Sequence, residues 1–308
     1  VQSVRTAGKL GYCFGVSQAI EKAVKFAREG EPLYSLGTLA HNEVVVDQLT
    51  MNKVYPIKRE QVVYQMKVAI TAHGAPPETY RELENLDCSI LDCTCPIVRK
   101  AQTVVSCLMD GFDIIIYGDP DHQEVIGLDG WASGAKFIGN FEDLFTPEQG
   151  FKNLKLGKKV GIISQTTKIP QQFAFFVNTL VNQNMASLYE VRVVNTICPI
   201  VSARVDETRK LAGEVDMMFV VGSQESANTK NLADVAKASL APNSIEGYPA
   251  LVNIVQGADQ IPEALAGQSL TFRLKEPKIG VTAGTSTPLE VVQEVVNKLR
   301  EFLNLCKQ

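Results

Sequence analysis

Thr94-Cys95-Pro96-Ile97-Val98 and Ile197-Cys198-Pro199-Ile200-Val201 are two copies of one phrase, a cysteine followed by proline and two aliphatic residues. Cys13 stands in a comparable context, Gly11-Tyr12-Cys13-Phe14-Gly15-Val16, so three thiols occupy three look-alike turns. The cysteines cut the chain of 308 residues into segments of similar size, each large enough for a small α/β lobe: 14–95, 96–197, and 1–13 with 198–308. A repeat of this kind suggests one metal centre shared by three lobes. Three thiolates are one short of the four that usually hold an iron–sulfur cluster, which leaves one iron open for chemistry. An open iron makes an enzyme the expectation.

Outward from these phrases, short aliphatic runs alternate with amphipathic stretches, the pattern of parallel strands joined by crossover helices. Val16, Ala19, Ile20, Ala23, Val24 and Ala27 follow the spacing of one buried helix face, with Gln18, Glu21, Lys22, Lys25 and Glu29 opposite and Gly30 where the helix should end. The last helix is expected over Leu289 to Leu305, after Pro288. Five strands run into polar turns: Val68-Ala69-Ile70 into Thr71-Ala72-His73-Gly74, Ile114-Ile115-Ile116 into the turn ending His122-Gln123-Glu124, and Val160-Gly161-Ile162-Ile163 into Ser164-Gln165-Thr166-Thr167. Met218-Phe219-Val220-Val221 likewise leads to Ser226-Ala227-Asn228, and Ile279-Gly280-Val281 to Thr285-Ser286. The carboxyl edge of a parallel sheet is where ligands bind, because its turns meet the amino ends of the following helices.

Composition narrows the class. A hydrophobic fraction of 45% with 21% charged residues is ordinary for a globular chain, and a net charge of −4 without a Lys/Arg cluster argues against nucleic acid or an anionic membrane surface as partner. No apolar run approaches membrane-helix length and Val1-Gln2-Ser3-Val4-Arg5 has no signal-peptide core, so a soluble, cytoplasmic protein is expected. Seven widely scattered cysteines argue against a disulfide framework and for reduced thiols. Cys88, Cys107 and Cys306 lie in apolar contexts and are expected to be buried. Zinc is the rival metal, but the chain has no Cys-x-x-Cys knuckle, only the isolated pair Cys93-x-Cys95.

The only three histidines, His41, His73 and His122, all sit in polar turns. A neutral imidazole binds metal, whereas an imidazolium beside Ser and Asn suits an anionic phosphate. Ser226, Asn228 and Ser286 follow strands and precede helices, where they either cap the helix or join its N–H groups in an anion site. Glu124, two residues past His122, is a proton donor if buried and otherwise a first-turn helix carboxylate.

Taken in order, Gly-Tyr-Cys13-Phe-Gly-Val, Ala-His41-Asn42, Ala-His73-Gly74, Thr-Cys95-Pro96, His122-Gln-Glu124, Gln165-Thr166-Thr167, Ile-Cys198, Ser226-Ala-Asn228 and Thr282-Ala-Gly-Thr-Ser286 span nearly the whole chain. In these pieces the chain resembles the 4-hydroxy-3-methylbut-2-enyl diphosphate reductases, the last enzymes of the methylerythritol phosphate route to isoprenoids. The resemblance implies a pseudo-threefold trefoil of three α/β lobes around a [4Fe-4S] cluster held by Cys13, Cys95 and Cys198. It implies an open iron facing the substrate's terminal hydroxyl, and His41, His73, Ser226, Asn228 and Ser286 around the diphosphate. By the same likeness Thr166, His122 and Glu124 form the catalytic polar network, with Glu124 the proton source. Ferredoxin or flavodoxin would deliver the electrons, and isopentenyl and dimethylallyl diphosphate would be the products.

Several positions depart from the family pattern: Ala227 where the family has Ser, Val201 where Thr is common, Gln123 for Pro, Gln102 for His, and Phe14 for a small residue. Losing one hydrogen bond to a charged group costs about 1.5–3 kcal/mol. These departures define the rival readings. One is a paralogue with the same open-iron cluster that reduces or dehydrates another small molecule. The other, from a different class, is a non-catalytic iron–sulfur electron carrier or sensor.

Overall fold

The computed structural model describes residues 4–28, 30–146, 150, 154–240, 251–262 and 277–305. Glu29 and Cys306 lie outside the described residues. The chain begins with β1 (Val4–Thr6), α1 (Phe14–Arg28), β2 (Leu33–Leu36), α2 (Glu43–Met51), β3 (Val54–Ile57), β4 (Lys67–Ile70), α3 (Pro77–Asn85) and β5 (Ser89–Asp92). It continues through α4 (Pro96–Thr103), β6 (Asp113–Tyr117), α5 (Gln123–Trp131), β7 (Phe137–Gly139), β8 (Lys159–Ser164), α6 (Pro170–Asn184) and β9 (Glu190–Val193). The remainder is α7 (Pro199–Ala212), β10 (Met217–Val221), α8 (Ala227–Leu240), β11 (Leu251–Val255), β12 (Ile279–Ala283) and α9 (Leu289–Leu305).

These strands form three four-stranded sheets, ordered β3-β2-β4-β5, β7-β6-β8-β9 and β11-β10-β12-β1, and every pairing within them is parallel. The architecture is α/β. With β1 counted as the strand that completes the third sheet, the spatial order second-first-third-fourth is the same in all three. Winding reverses between the central strands, β2 and β4, β6 and β8, β10 and β12, and a crevice at such a reversal is a ligand site in open parallel sheets. By compactness the described chain divides into two units, Val1–Val16 with Ala40–Asp47 and Pro199–Gln308, and Ser17–Leu39 with Gln48–Cys198. The third sheet belongs to the first unit, the other two to the second.

Burial on both faces explains why the strands read as unbroken apolar runs. On β6, Ile115 and Tyr117 pack with Phe173, Phe176 and Leu180 of α6, while Ile114 and Ile116 pack with Val125 and Leu128 of α5. On β10, Met217, Phe219 and Val221 meet Val292, Val295 and Leu299 of α9, and Met218 meets Leu211, Ala236 and Leu240 on the other side. Burial along α1 is narrower than its pattern suggests: Ala19, Ala23 and Ala27 are buried, while Ile20 and Val24 remain half-buried. No helix among the described residues is long and apolar enough to cross a membrane.

Helix α5 is locked to the turn between β4 and α3. Trp131 Nε1 donates to the Ala75 carbonyl at 3.0 Å, and Gly130 lies so close to Pro76 that a Cβ on it would overlap the proline ring. A rigid ring cannot yield as a flexible side chain would. Gly130→Ala should therefore destabilise the fold by about 1–3 kcal/mol, read as a thermal midpoint several degrees below wild type. An unchanged midpoint would show that the helix slides without cost.

Candidate active site

The three repeated cysteines occupy equivalent places. Cys13, Cys95 and Cys198 each follow the fourth strand of a sheet (β1, β5 and β9) and stand immediately before a helix (α1, α4 and α7). Pro96 and Pro199 open their helices, where a missing N–H costs nothing and φ is already helical. The backbone N–H of each cysteine donates into the turn after the third strand of its sheet: Cys13 to Thr285 O at 3.0 Å, Cys95 to Ala72 O at 3.0 Å, Cys198 to Thr166 O at 2.9 Å. All three are half-buried thiols, whereas Cys93 is buried, its thiol pushed up to about 11 by burial.

In the second unit, the turns flanking the β6/β8 reversal carry Glu124 and Thr166. Glu124 is 1% exposed, and its carboxyl accepts from Thr166 N at 2.6 Å and from Thr166 Oγ1 at 2.8 Å. Burial pushes its pKa up to about 7, with Thr166's two donors working the other way. It is a carboxyl that carries its proton to near neutrality. His122 caps α5, its Nδ1 accepting from Glu124 N at 3.2 Å. That bond assigns the proton to Nε2, which can then donate. The His73 ring lies edge-on to His122 with centroids 5.3 Å apart, and His73 Nδ1 is 3.3 Å from Thr71 Oγ1.

In the first unit, the turns after β10 and β12 carry Ser226, Asn228 and Ser286, which are 5%, 2% and 7% exposed. Ser226 does cap its helix, accepting from Thr229 N at 3.3 Å. Asn228 and Ser286 do not: both amide atoms of Asn228 and the Ser286 hydroxyl are buried without a hydrogen-bond partner. Each such group costs about 1–3 kcal/mol, so their burial makes sense in the presence of a polar ligand. His41 departs from the expected imidazolium. Burial lowers its pKa, only partly opposed by Glu225, and so favours the neutral imidazole.

The apolar-context expectation fails for two cysteines. Cys107 is exposed and Cys88 only half-buried. Cys107 lies in the π-helical turn Val104–Leu108, where Val104 and Val105 take the core positions and turn Ser106 and Cys107 outward. Among the departures, Val201 is buried at 3%, Gln102 at 1%, and Phe14 is 58% exposed. Sequence reading missed Arg204, a buried arginine on α7 that donates to Ala283 O, Gly284 O and Gly11 O, tying the β12 turn to the approach of Cys13. It also missed Asp119 and Lys168, an ion pair that joins the turn after β6 to the turn after β8. Among the described residues no three His, Cys, Asp or Glu side chains are grouped to hold a single metal ion.

Glu124 has a consequence for stability. Its proton is held to about 7 in the fold against 4.5 for an ordinary glutamate, so the stability it confers is full below pH 4.5 and lost as pH rises to about 7. Glu124→Gln lacks this slope. In denaturant unfolding it should gain on wild type by about 3 kcal/mol across that interval; a difference that is constant with pH would refute the raised value.

Comparison with known proteins covers nearly the whole chain. A 4-hydroxy-3-methylbut-2-enyl diphosphate reductase of Dehalococcoides mccartyi is 35% identical over 298 residues, 96% of this chain and 97% of that protein. The protein of the same name from Geobacter sp. (strain M21) is 35% identical over 291 residues, 94% of each chain. A solved (E)-4-hydroxy-3-methyl-but-2-enyl diphosphate reductase, described as the terminal enzyme of the non-mevalonate pathway, is 30% identical with a TM-score of 0.63, covering 97% of this chain and 99% of that one. The reductase structure from Plasmodium falciparum, at 24% identity and a TM-score of 0.80 over 96% of this chain and 86% of its own, supports the fold alone. The family described as LytB protein matches residues 4–300, and with relatives of this identity and coverage the chain belongs to the LytB family.

Proposed function

We propose that this chain is a 4-hydroxy-3-methylbut-2-enyl diphosphate reductase that replaces the allylic hydroxyl by hydrogen to give isopentenyl and dimethylallyl diphosphate. The observation that carries the reading is the Glu124–Thr166 pair, an acid buried at 1% exposure and protonated up to about pH 7 on the same turn as His122. The family supplies the reaction; the pair supplies chemistry that fits it.

Three half-buried thiols at three helix amino ends suit an iron–sulfur cluster, each thiolate taking its own iron and the helix dipole favouring negative charge. Cys13, Cys95 and Cys198 would hold a [4Fe-4S] cluster with one iron left open, within three lobes of residues 14–95, 96–197, and 1–13 with 198–308. When bound, the cluster supplies electrons one at a time and a Lewis acid for the departing hydroxide. A ferredoxin or flavodoxin would renew those electrons.

The overall change takes two electrons and two protons: the C–O bond breaks, a C–H bond forms, and the oxygen leaves as water. Asn228 and Ser286, with buried donors lacking partners, bind the diphosphate together with His41, His73 and the Ser226 hydroxyl. His122 Nε2 donates to the reacting hydroxyl. Glu124 gives its proton to the leaving oxygen, and Thr166 N–H and Oγ1–H stabilise the carboxylate that remains. Anchoring the diphosphate positions the carbon skeleton for this transfer.

A second reading keeps the reaction type and changes the substrate. Ala227 favours it, since the position offers no hydroxyl donor and the neighbouring Ser226 already serves as a helix cap. An electron carrier has no use for a buried acid and is not favoured. The test is turnover of the C5 diphosphate by anaerobically reconstituted protein with a chemical reductant. Wild type should form both C5 products, and Glu124→Gln should keep its iron while losing roughly 10²–10⁴ in rate. Ala227→Ser should lower KM. A reconstituted cluster with no C5 turnover in either form contradicts the assignment and turns attention to other substrates.

A further inference from the structure

We propose that Asp119 and Lys168 are a positioning pair that braces the turn carrying Glu124 against the turn carrying Thr166. The inference rests on the reading of Glu124 as proton donor and adds what holds it in place. Strands β6 and β8 are neighbours, registered up to Tyr117 opposite Ser164; one further backbone bond, Gln165 N to Tyr117 O at 2.8 Å, closes the ladder, and past Gln165 no strand pairing joins the two turns at the winding reversal. The distances of 2.6 and 2.8 Å between Glu124 and Thr166 therefore need another source of rigidity.

A second set of bonds crosses the same gap. Lys168 Nζ donates to Asp119 Oδ1 at 2.6 Å, Asn140 Nδ2 donates to the same oxygen at 3.2 Å, and Asp119 N donates to Gln165 Oε1 at 3.0 Å. Gln165 Nε2 donates in turn to Thr167 Oγ1 at 2.9 Å, so both ends of the Thr166 turn are held. Gly118 permits the approach, because a Cβ there would lie 2.8 Å from Val125 Cγ2 and 3.0 Å from Gln165 Cβ. From Asp119 the chain continues to His122, whose N–H donates to Asp119 O at 3.0 Å, and then to Glu124.

Only one partner is shielded: the Asp119 side chain is 43% exposed, so the cost of burial falls on Lys168. The Lys168 side chain is 8% exposed, with Nζ 5.7 Å from the Tyr117 ring centroid. Desolvating an ammonium offsets much of what the pair gains, so such a pair is better explained by geometry than by stability. Burial works to raise the Asp119 pKa, yet the bond and charge of Lys168, with Asn140, hold it below the ordinary carboxylate value. The groups bonded to Glu124 are Thr166 from the turn after β8, through its N–H and Oγ1, and His122 from the same turn as Glu124, which accepts the Glu124 N–H; Asp119 precedes His122 on that turn and Lys168 follows Thr166 on the other. Burial and Thr166 are what set the Glu124 titration.

Bracing and simple charge effects predict different signs, and this makes the inference testable. Infrared titration of the reconstituted full chain follows the protonated carboxyl band that is lost in Glu124→Gln. If the pair positions the turns, both Asp119→Asn and Lys168→Met admit water and lower the Glu124 pKa by about one unit or more, while Lys168→Arg keeps it near wild type. If the pair acts only through charge, Asp119→Asn lowers it and Lys168→Met raises it. Opposite shifts, or none, overturn the proposal. Lys168→Gln gives the same reading should the methionine variant not fold. Glu124 titrating near 7 in wild type and shifting in the variants as the brace predicts, in a protein that fails to turn over the C5 diphosphate, would sink the reductase reading and leave the brace standing.

Discussion

The N–H of each repeated cysteine donates to a carbonyl in the turn after the neighbouring strand, and this bond, made at Cys13, Cys95 and Cys198, is the constraint on which the local arrangement rests. It ties a thiol at a helix amino end to the residue that carries, or directly precedes, a candidate polar group: Thr285 before Ser286, Ala72 before His73, and Thr166 itself. The bond is available only because all three sheets share one strand order, which sets the fourth strand beside the third. A hydrogen bond of this kind contributes about 1 kcal/mol net. Its importance lies in register, since a shift by one residue would turn the thiol or the polar group away.

Against that frame of backbone bonds the side chains divide by cost. Glu124 is buried at the expense of its charge and answers by keeping its proton. Asn228 and Ser286 are buried with polar atoms unpartnered, a cost that a bound polar ligand would offset. Arg204 and Lys168 are buried cations that spend their donors on holding turns in place. Stability has been given up near the turns and kept in the central strands β6, β8, β10 and β12, which are buried on both faces. Such a division is expected where binding and proton transfer require polar groups shielded from water.

Much of this was legible in the chain. Ile114 to Ile116 and Met218 to Val221 announce strands because a doubly covered parallel sheet demands continuous apolar residues, and the polar run that follows marks where each strand meets the edge. Helix α9 was readable to its ends because its spacing is regular and Pro288 precedes it. Asp119 with Lys168, and Arg204 with Gly284, were not readable. Their partners stand 49 and 80 residues apart, and only the pairing of β6 with β8 or the packing of α7 brings them together. Cys107 was misread for a related reason, because an apolar neighbourhood in sequence does not say which side of a π-helical turn faces inward. The neutral state favoured for His41 also depends on burial that composition does not reveal.

The central claim is that Glu124 is the acid of a reductive dehydroxylation, and the pH dependence of a single turnover tests it most directly. Pre-reduced, reconstituted protein is mixed with the C5 diphosphate between pH 5 and pH 9, and product formation is followed for wild type and Glu124→Gln. The account predicts that the wild-type rate is flat at low pH and falls as pH rises through about 7, where Glu124 loses its proton, while the variant is slow at every pH. A wild-type rate unchanged through that range, or a variant with wild-type rate, would contradict it.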